Sequence, residues 1–355
     1  MALTYLKPSA LDAARRVRGY RHHRGVHCAS AAMRNVYTHY TGEPLTEALC
    51  FGLGAGLGFT YIRDPESGLF LVGGRGSYLE SHFCNALGIR LKVYHSEDPD
   101  LAWTHARWLV DQDHLVMMDV DMFHLPYMVQ FLELNQRFHF GGHKVLLTGY
   151  DPETETAYLG DYAWGDPQPV SAEDLKRARS SDDCTYPPRN VAFTFVFPQR
   201  LPSLRAAARS GMQSVVWQMR APYMDRFGGL ASVSRFCRQA ARWGRLFAGQ
   251  ELQLLTSLAW LMIEKAGTGG GNFRILYGRF LSEAAPLLDA PALLPVAEHY
   301  RRLGARWREA AALLHQSIEE PAGGMYAPSR APQLLLDEID AMEQAGIAQL
   351  EEFLR

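Results

Sequence analysis

Apolar residues change their spacing at Pro198–Pro202. Before the prolines they gather in short runs: 69–73 (LFLVG), 89–95 (IRLKVYH), 115–120 (LVMMDV), 143–150 (HKVLLTGY), 157–160 (AYLG) and 191–197 (VAFTFVF). Each has strand length and is rich in β-branched or aromatic residues. Beyond them the chain repeats at helical spacing over 203–221, 229–248, 250–265, 272–287, 291–316 and 332–354. In the last segment Leu335, Ile339, Met342, Leu350 and Phe353 form an apolar stripe opposite Asp337, Glu338, Asp340 and Glu343. Strands mixed with helices and then helices alone predict an α+β domain over residues 1–200 and an all-helical domain over 201–355. The segment FGLGAGLGF (51–59), with its repeated glycines, reads as a loop or a tightly packed corner.

Net charge is −2, so no global field favours nucleic acid or a membrane surface. The N-terminus has no apolar signal core, and no apolar run reaches about 18 residues. A cytoplasmic location is the expectation. Five cysteines (Cys28, Cys50, Cys84, Cys184, Cys237) are scattered without a CxxC pair, which argues against both a disulfide framework and structural zinc.

Cys28 has the most suggestive surroundings. It opens the helical stretch CASAAMRNVYTHYT (28–41), with small residues in its first turn and Ala32, Val36 and Tyr40 on one face. A helix N-terminus stabilises thiolate through its dipole and unpaired N–H groups, and Arg21, Arg24 and neighbouring histidines add positive potential. Cysteine is more often small buried filler. His143 begins an apolar strand, and Asp161 ends the next one. Two antiparallel strands joined by the turn PETET bring these side chains together, so that the carboxylate fixes the imidazole while the imidazole takes the thiol proton. Cysteine, then histidine more than a hundred residues later, then an orienting acid on the next strand, is the papain order. Taken singly, His143 can be an edge-strand histidine and Asp161 a turn cap. Together with Cys28 those readings lose ground.

GVHCASAAMRNVYTHYTGEPLTEALCFGLGAGLGFTYI, with GGHKVLLTGYD and LGDYAW, resembles the N-terminal domain of the butirosin biosynthesis protein H family, which is similar in fold to papain-like peptidases that clip double-glycine leaders. IEKAGTGGGNFRILYGRFLSEAA (263–285) resembles the uncharacterised helical domain that commonly follows it. The resemblance covers roughly residues 20–350. It implies a papain-like catalytic domain and acyl transfer from an acyl carrier protein to an amine, forming an amide. Cys28 then matches the nucleophile, His143 the base and Asp161 the orienting acid. No cofactor is expected on the enzyme, because the acyl group arrives on the carrier's phosphopantetheine. A papain-like enzyme usually has a glutamine about six residues before the cysteine as oxyanion donor. Here that place holds His22, so His22 or His23, with the Cys28 amide, is the expected donor.

Further expectations concern binding. Arg15, Arg16, Arg18, Arg21 and Arg24 precede the nucleophile, and Arg18 and Arg21 suit docking of an acidic carrier protein; a solvated helix and loop is the plainer account. Gly54 and Gly56 suit the wall of an acyl channel or close packing. In GTGGGNFR, Gly269, Gly270 and Arg274 suit a phosphate, against a packing turn in which Arg274 pairs internally. No GK[ST] follows, so ATP is not expected. The grouping His22, His23, His27, Cys28 does not have zinc spacing, and no metal is expected. The apolar helical half can support a homodimer. The residues leave transferase, peptidase, thioesterase and non-catalytic binding protein open.

Overall fold

The computed structural model describes residues 14–64, 69–132, 139–184, 186–220, 227–320 and 322–355. They divide into two compact units. The first gathers the described parts of Met1–Pro44 and Arg90–Phe197, and the second those of Leu45–Ile89 and Pro198–Arg355. One boundary between the units falls at Pro198. The continuous domain over 1–200 is not present, because residues 45–89 pack with the C-terminal half. Their glycines and aromatics find partners there, as described below.

The first unit is built on an antiparallel sheet of β4 (Arg90–Tyr94), β9 (Ala192–Val196), β5 (Val116–Val120), β6 (His143–Asp151), β7 (Thr156–Gly160) and β8 (Gln168–Ser171), in that spatial order, with β1 (Arg15–Arg16) paired to β6. β6 is buried along its whole length. Both α1 (Cys28–Thr41) and α4 (Pro99–Asp111) pack on it, which explains a nearly continuous apolar run in place of alternation. α5 (Pro126–Leu132) and α6 (Ala172–Ser180) complete the unit. α1 buries Ala29, Ala31, Ala32, Met33 and Val36 and stops at Gly42, whose φ of 73° few other residues adopt.

In the second unit, α2 (Glu47–Leu53) leads into a hairpin of β2 (Leu57–Asp64) and β3 (Leu69–Arg75), followed by α3 (Leu79–Ala86). Next come α7 (Leu204–Arg220), α8 (Gly229–Ala240), α9 (Trp243–Leu246), α10 (Gly249–Trp260), α11 (Arg274–Leu288), α12 (Leu293–Glu319) and α13 (Ala331–Leu354). FGLGAGLGF is thus a helix end, a turn and a strand start, not a loop throughout. Close packing decides this. A Cβ at Gly52 would lie 2.0 Å from the Phe280 ring, and one at Gly58 would lie 2.6 Å from the Gly76 amide across the hairpin. Among the described residues no helix is long and apolar enough to cross a membrane.

Candidate active site

Cys28, His143 and Asp161 all belong to the first unit. Cys28 is the first residue of α1, capped by His27, whose Nδ1 accepts from the Ser30 amide at 3.3 Å and lies 2.9 Å from the Ser30 hydroxyl. His143 is the first residue of β6, and Asp161 follows the last residue of β7. The antiparallel pairing places Leu146 opposite Gly160, so the start of one strand meets the end of the other. The His143 Nε2 lies 2.8 Å from Asp161 Oδ2. That leaves Nδ1 as the nitrogen for the Cys28 thiol, with which His143 interacts electrostatically.

His143 and Asp161 are each 1% exposed, whereas Cys28 keeps part of its surface open. Burial alone pushes the thiol up, but His27 and His143 outweigh it and hold Cys28 well below the usual thiol range. For His143, burial opposes the charged form. The Asp161 carboxylate and Cys28 overcome that opposition and raise the imidazole to about 10. Both shifts run toward a thiolate beside an imidazolium.

A second ring of contacts fixes the acid. Tyr127 on α5 donates to Asp161 Oδ2 at 2.9 Å, and the Tyr162 amide donates to Oδ1 at 2.6 Å. Trp164 packs edge-on against Tyr127, and Tyr162 against the His143 ring. Neither Tyr127 nor Tyr162 stands out in the sequence, because nothing local marks them. Asn35 had a signal: it is a polar residue on the buried face of α1, seven positions after Cys28. Its amide donates to the His23 carbonyl at 2.9 Å and holds the loop that leads into the nucleophile.

Several expected roles change. His22 Nε2 faces the Asp161 carbonyl at 2.9 Å, so it must be the protonated nitrogen, and Nδ1 accepts from Tyr20 at 2.7 Å. Burial lowers its pKa in keeping with a neutral ring. Its N–H braces the Asp161 backbone and is not free to donate to an oxyanion. His23 is exposed, and its carbonyl is held by Arg34 and Asn35. The remaining expected oxyanion donor is the Cys28 amide at the open helix end.

Arg18 is exposed but paired with Asp113, donating from Nε at 3.0 Å and from its backbone at 2.8 Å; Arg21 and Arg24 are exposed. Gly54 and Gly56 lie in the second unit, where their amides bond to the carbonyls of Cys50 and Phe51. A Cβ on Gly54 would meet the Leu79 carbonyl at 2.8 Å, and one on Gly56 the Phe51 ring at 2.5 Å. These are packing positions. GTGGGNFR is likewise no phosphate cradle. The Gly270, Gly271 and Asn272 amides bond to Thr268, Glu264 and Ile263, and the Gly269 carbonyl accepts from Arg308. Arg274 is fully buried, paired with Glu343 at 2.6 Å, and donates to the Gly74 and Asn272 carbonyls. The positive φ values of Gly269 through Phe273 explain the glycines: the chain winds left-handed before α11.

Asp121, His124 and His139 place potential metal-ligand atoms within 4.8 Å of one another. Asp121 is saturated without an ion. Oδ2 accepts from Ser181 at 2.7 Å and lies 2.7 Å from His139 Nδ1, while Oδ1 accepts from the Phe123 and Phe140 amides.

The chain is thus a mixed α/β protein whose first unit brings a half-buried cysteine, a buried histidine and a buried carboxylate together. Residues 27–162 match the family described as butirosin biosynthesis protein H, N-terminal, and residues 173–350 match a domain of unknown function, DUF4872. The chain belongs to the DUF4872 family, whose match covers half of it and begins within α6 of the first unit, and it carries the butirosin N-terminal domain ahead of that match. No curated protein matches it.

Proposed function

We propose that this protein is a cysteine-dependent acyltransferase of natural-product biosynthesis, moving an acyl group from a carrier-protein thioester to an amine. The observation that carries the reading is the Cys28–His143–Asp161 constellation inside the segment matched to the butirosin family. Cys28 Sγ attacks the thioester carbonyl. The tetrahedral oxyanion takes the Cys28 amide, the pantetheine thiolate leaves, and His143 gives it a proton. An amine then attacks the acyl-cysteine, its proton passes to His143, and the Cys28 thiolate departs.

A thioester needs less oxyanion help than a peptide bond, which fits a site where His22, at the place expected of the oxyanion donor, is committed to the Asp161 carbonyl. The exposed Arg21 and Arg24 suit the acidic surface of a carrier protein, with Arg18 shared with Asp113. The test is mass spectrometry of the protein mixed with acyl thioester alone. One acyl mass on Cys28, lost as amide when an amine is added, is the expected result. Fast cleavage of an unactivated peptide with no transfer to any amine overturns the proposal in favour of a peptidase.

A further inference from the structure

The first unit carries a second feature that the cysteine chemistry does not use. An open cleft of about 490 Å³ lies along β4, α4 and the start of β9, and none of the three catalytic residues lines it. Its wall includes Tyr94, His95, Leu101, His105, Arg179 and Asn190, and no acidic residue among those described. Arg179 is 2% exposed. Its Nη2 donates to the Asn190 carbonyl at 3.0 Å, while Nε and Nη1 have no acceptor among the described residues. Among the described residues no carboxylate pairs with it. Burial with nothing to oppose it lowers the guanidinium to about 10. Beside it, Asn190 fixes its own amide to the Ser96 carbonyl at 3.0 Å and leaves Oδ1 without a donor.

A buried cation with unmet donors is costly, and native structures tolerate it where something else supplies the charge. The rest of the cleft suits an apolar body. His105 meets the Tyr94 ring edge-on at 4.6 Å and stacks on Trp108 at 5.7 Å, and Leu101 is 61% exposed at the mouth. We infer that this cleft binds a small organic anion, a carboxylate or phosphate monoester with a flat apolar body, whose charge compensates Arg179. In surroundings of low dielectric an anion seated there is attracted without needing a second charge of its own. The site is independent of the acyl-transfer reading and stands or falls apart from it.

Titration calorimetry and thermal unfolding of the full chain with benzoate, phenyl phosphate and neutral benzamide, at matched ionic strength, test the assignment. At least one anion should bind saturably and raise Tm, with benzamide inactive; which anion does so separates a carboxylate site from a phosphate site. Arg179→Gln should weaken that binding by about tenfold or more, as expected for loss of a charged hydrogen-bonding partner. Leu101→Glu, at an exposed position the fold does not need, should weaken it several-fold by repulsion. Should Arg179→Gln fail to fold by circular dichroism, Leu101→Glu decides alone. Absence of saturable anion binding, equal binding of benzamide, or wild-type affinity in the folded variants overturns the proposal.

Discussion

His143 meets Asp161 through Nε2, at 2.8 Å, and this choice of nitrogen decides how the imidazole faces Cys28. With Nε2 held by the acid, Nδ1 is left for the thiol. The contact is braced on both sides: Tyr127 shares Oδ2 with His143, and His22 donates to the Asp161 carbonyl. The carboxylate is therefore positioned by α5 and by the loop before α1 as well as by its own strand.

Replacing the nucleophile separates chemistry from folding. If Cys28 is the nucleophile proposed above, Cys28→Ala should lower turnover by about 10³-fold or more. The acyl adduct should vanish from the mass spectrum while circular dichroism stays unchanged. Retention of more than a few per cent of the rate would remove Cys28 from the mechanism.

The two shifted acidities set a pH window. The Cys28 thiol is held well below the usual thiol range, so alkylation by iodoacetamide should run at full rate through neutrality. The rate should fall only on the acid side, as the thiolate takes up its proton. His143 is charged below about 10, so transfer should fall again as pH rises through that value and the leaving thiolate loses its proton donor. Alkylation that instead rises with an ordinary midpoint of about 8.5 would mean an isolated thiol.

Asp161→Asn keeps a hydrogen-bonding side chain but removes the charge that raises the His143 pKa. Turnover should fall by about 100-fold, and the alkaline limb should move to lower pH. An unchanged alkaline limb would show that Asp161 does not set the imidazole's charge.

Tyr127→Phe removes one donor from a buried carboxylate. Urea unfolding should show a loss of about 1–3 kcal/mol, with a lower kcat and a nearly unchanged KM for acyl thioester. A rise in KM alone would place Tyr127 in substrate binding instead.

Arg274→Ala leaves Glu343 buried without its partner. The expected cost is about 3–5 kcal/mol in urea unfolding, and the double variant Arg274→Met, Glu343→Leu should recover most of it. Stabilisation of the wild type by inorganic phosphate, lost in Arg274→Ala, would restore the phosphate role that the buried pairing denies.

Local pattern alone determined much of this protein. The helix over 28–41, the strands that begin at His143 and end at Gly160, and the helical run after Pro198 follow from apolar spacing and from Gly42. Hydrophobic period and turn residues act over a few positions, so a single chain displays them. Cys28, His143 and Asp161 were legible for the same reason: each sits at the end of an element whose type the local pattern reveals. Partnerships across the chain were decided only by tertiary structure. Nothing near position 22 shows that a histidine there will donate to a carbonyl 139 residues away, nor does the sequence around Arg274 disclose Glu343. Residues 45–89 have the same lesson. Their glycines announce close packing, but only three-dimensional contact with Phe280 and the helices after Pro198 determines which half of the chain they join. Burial makes each such partner obligatory, because an unpaired polar group or a gap costs more than the local pattern can offset.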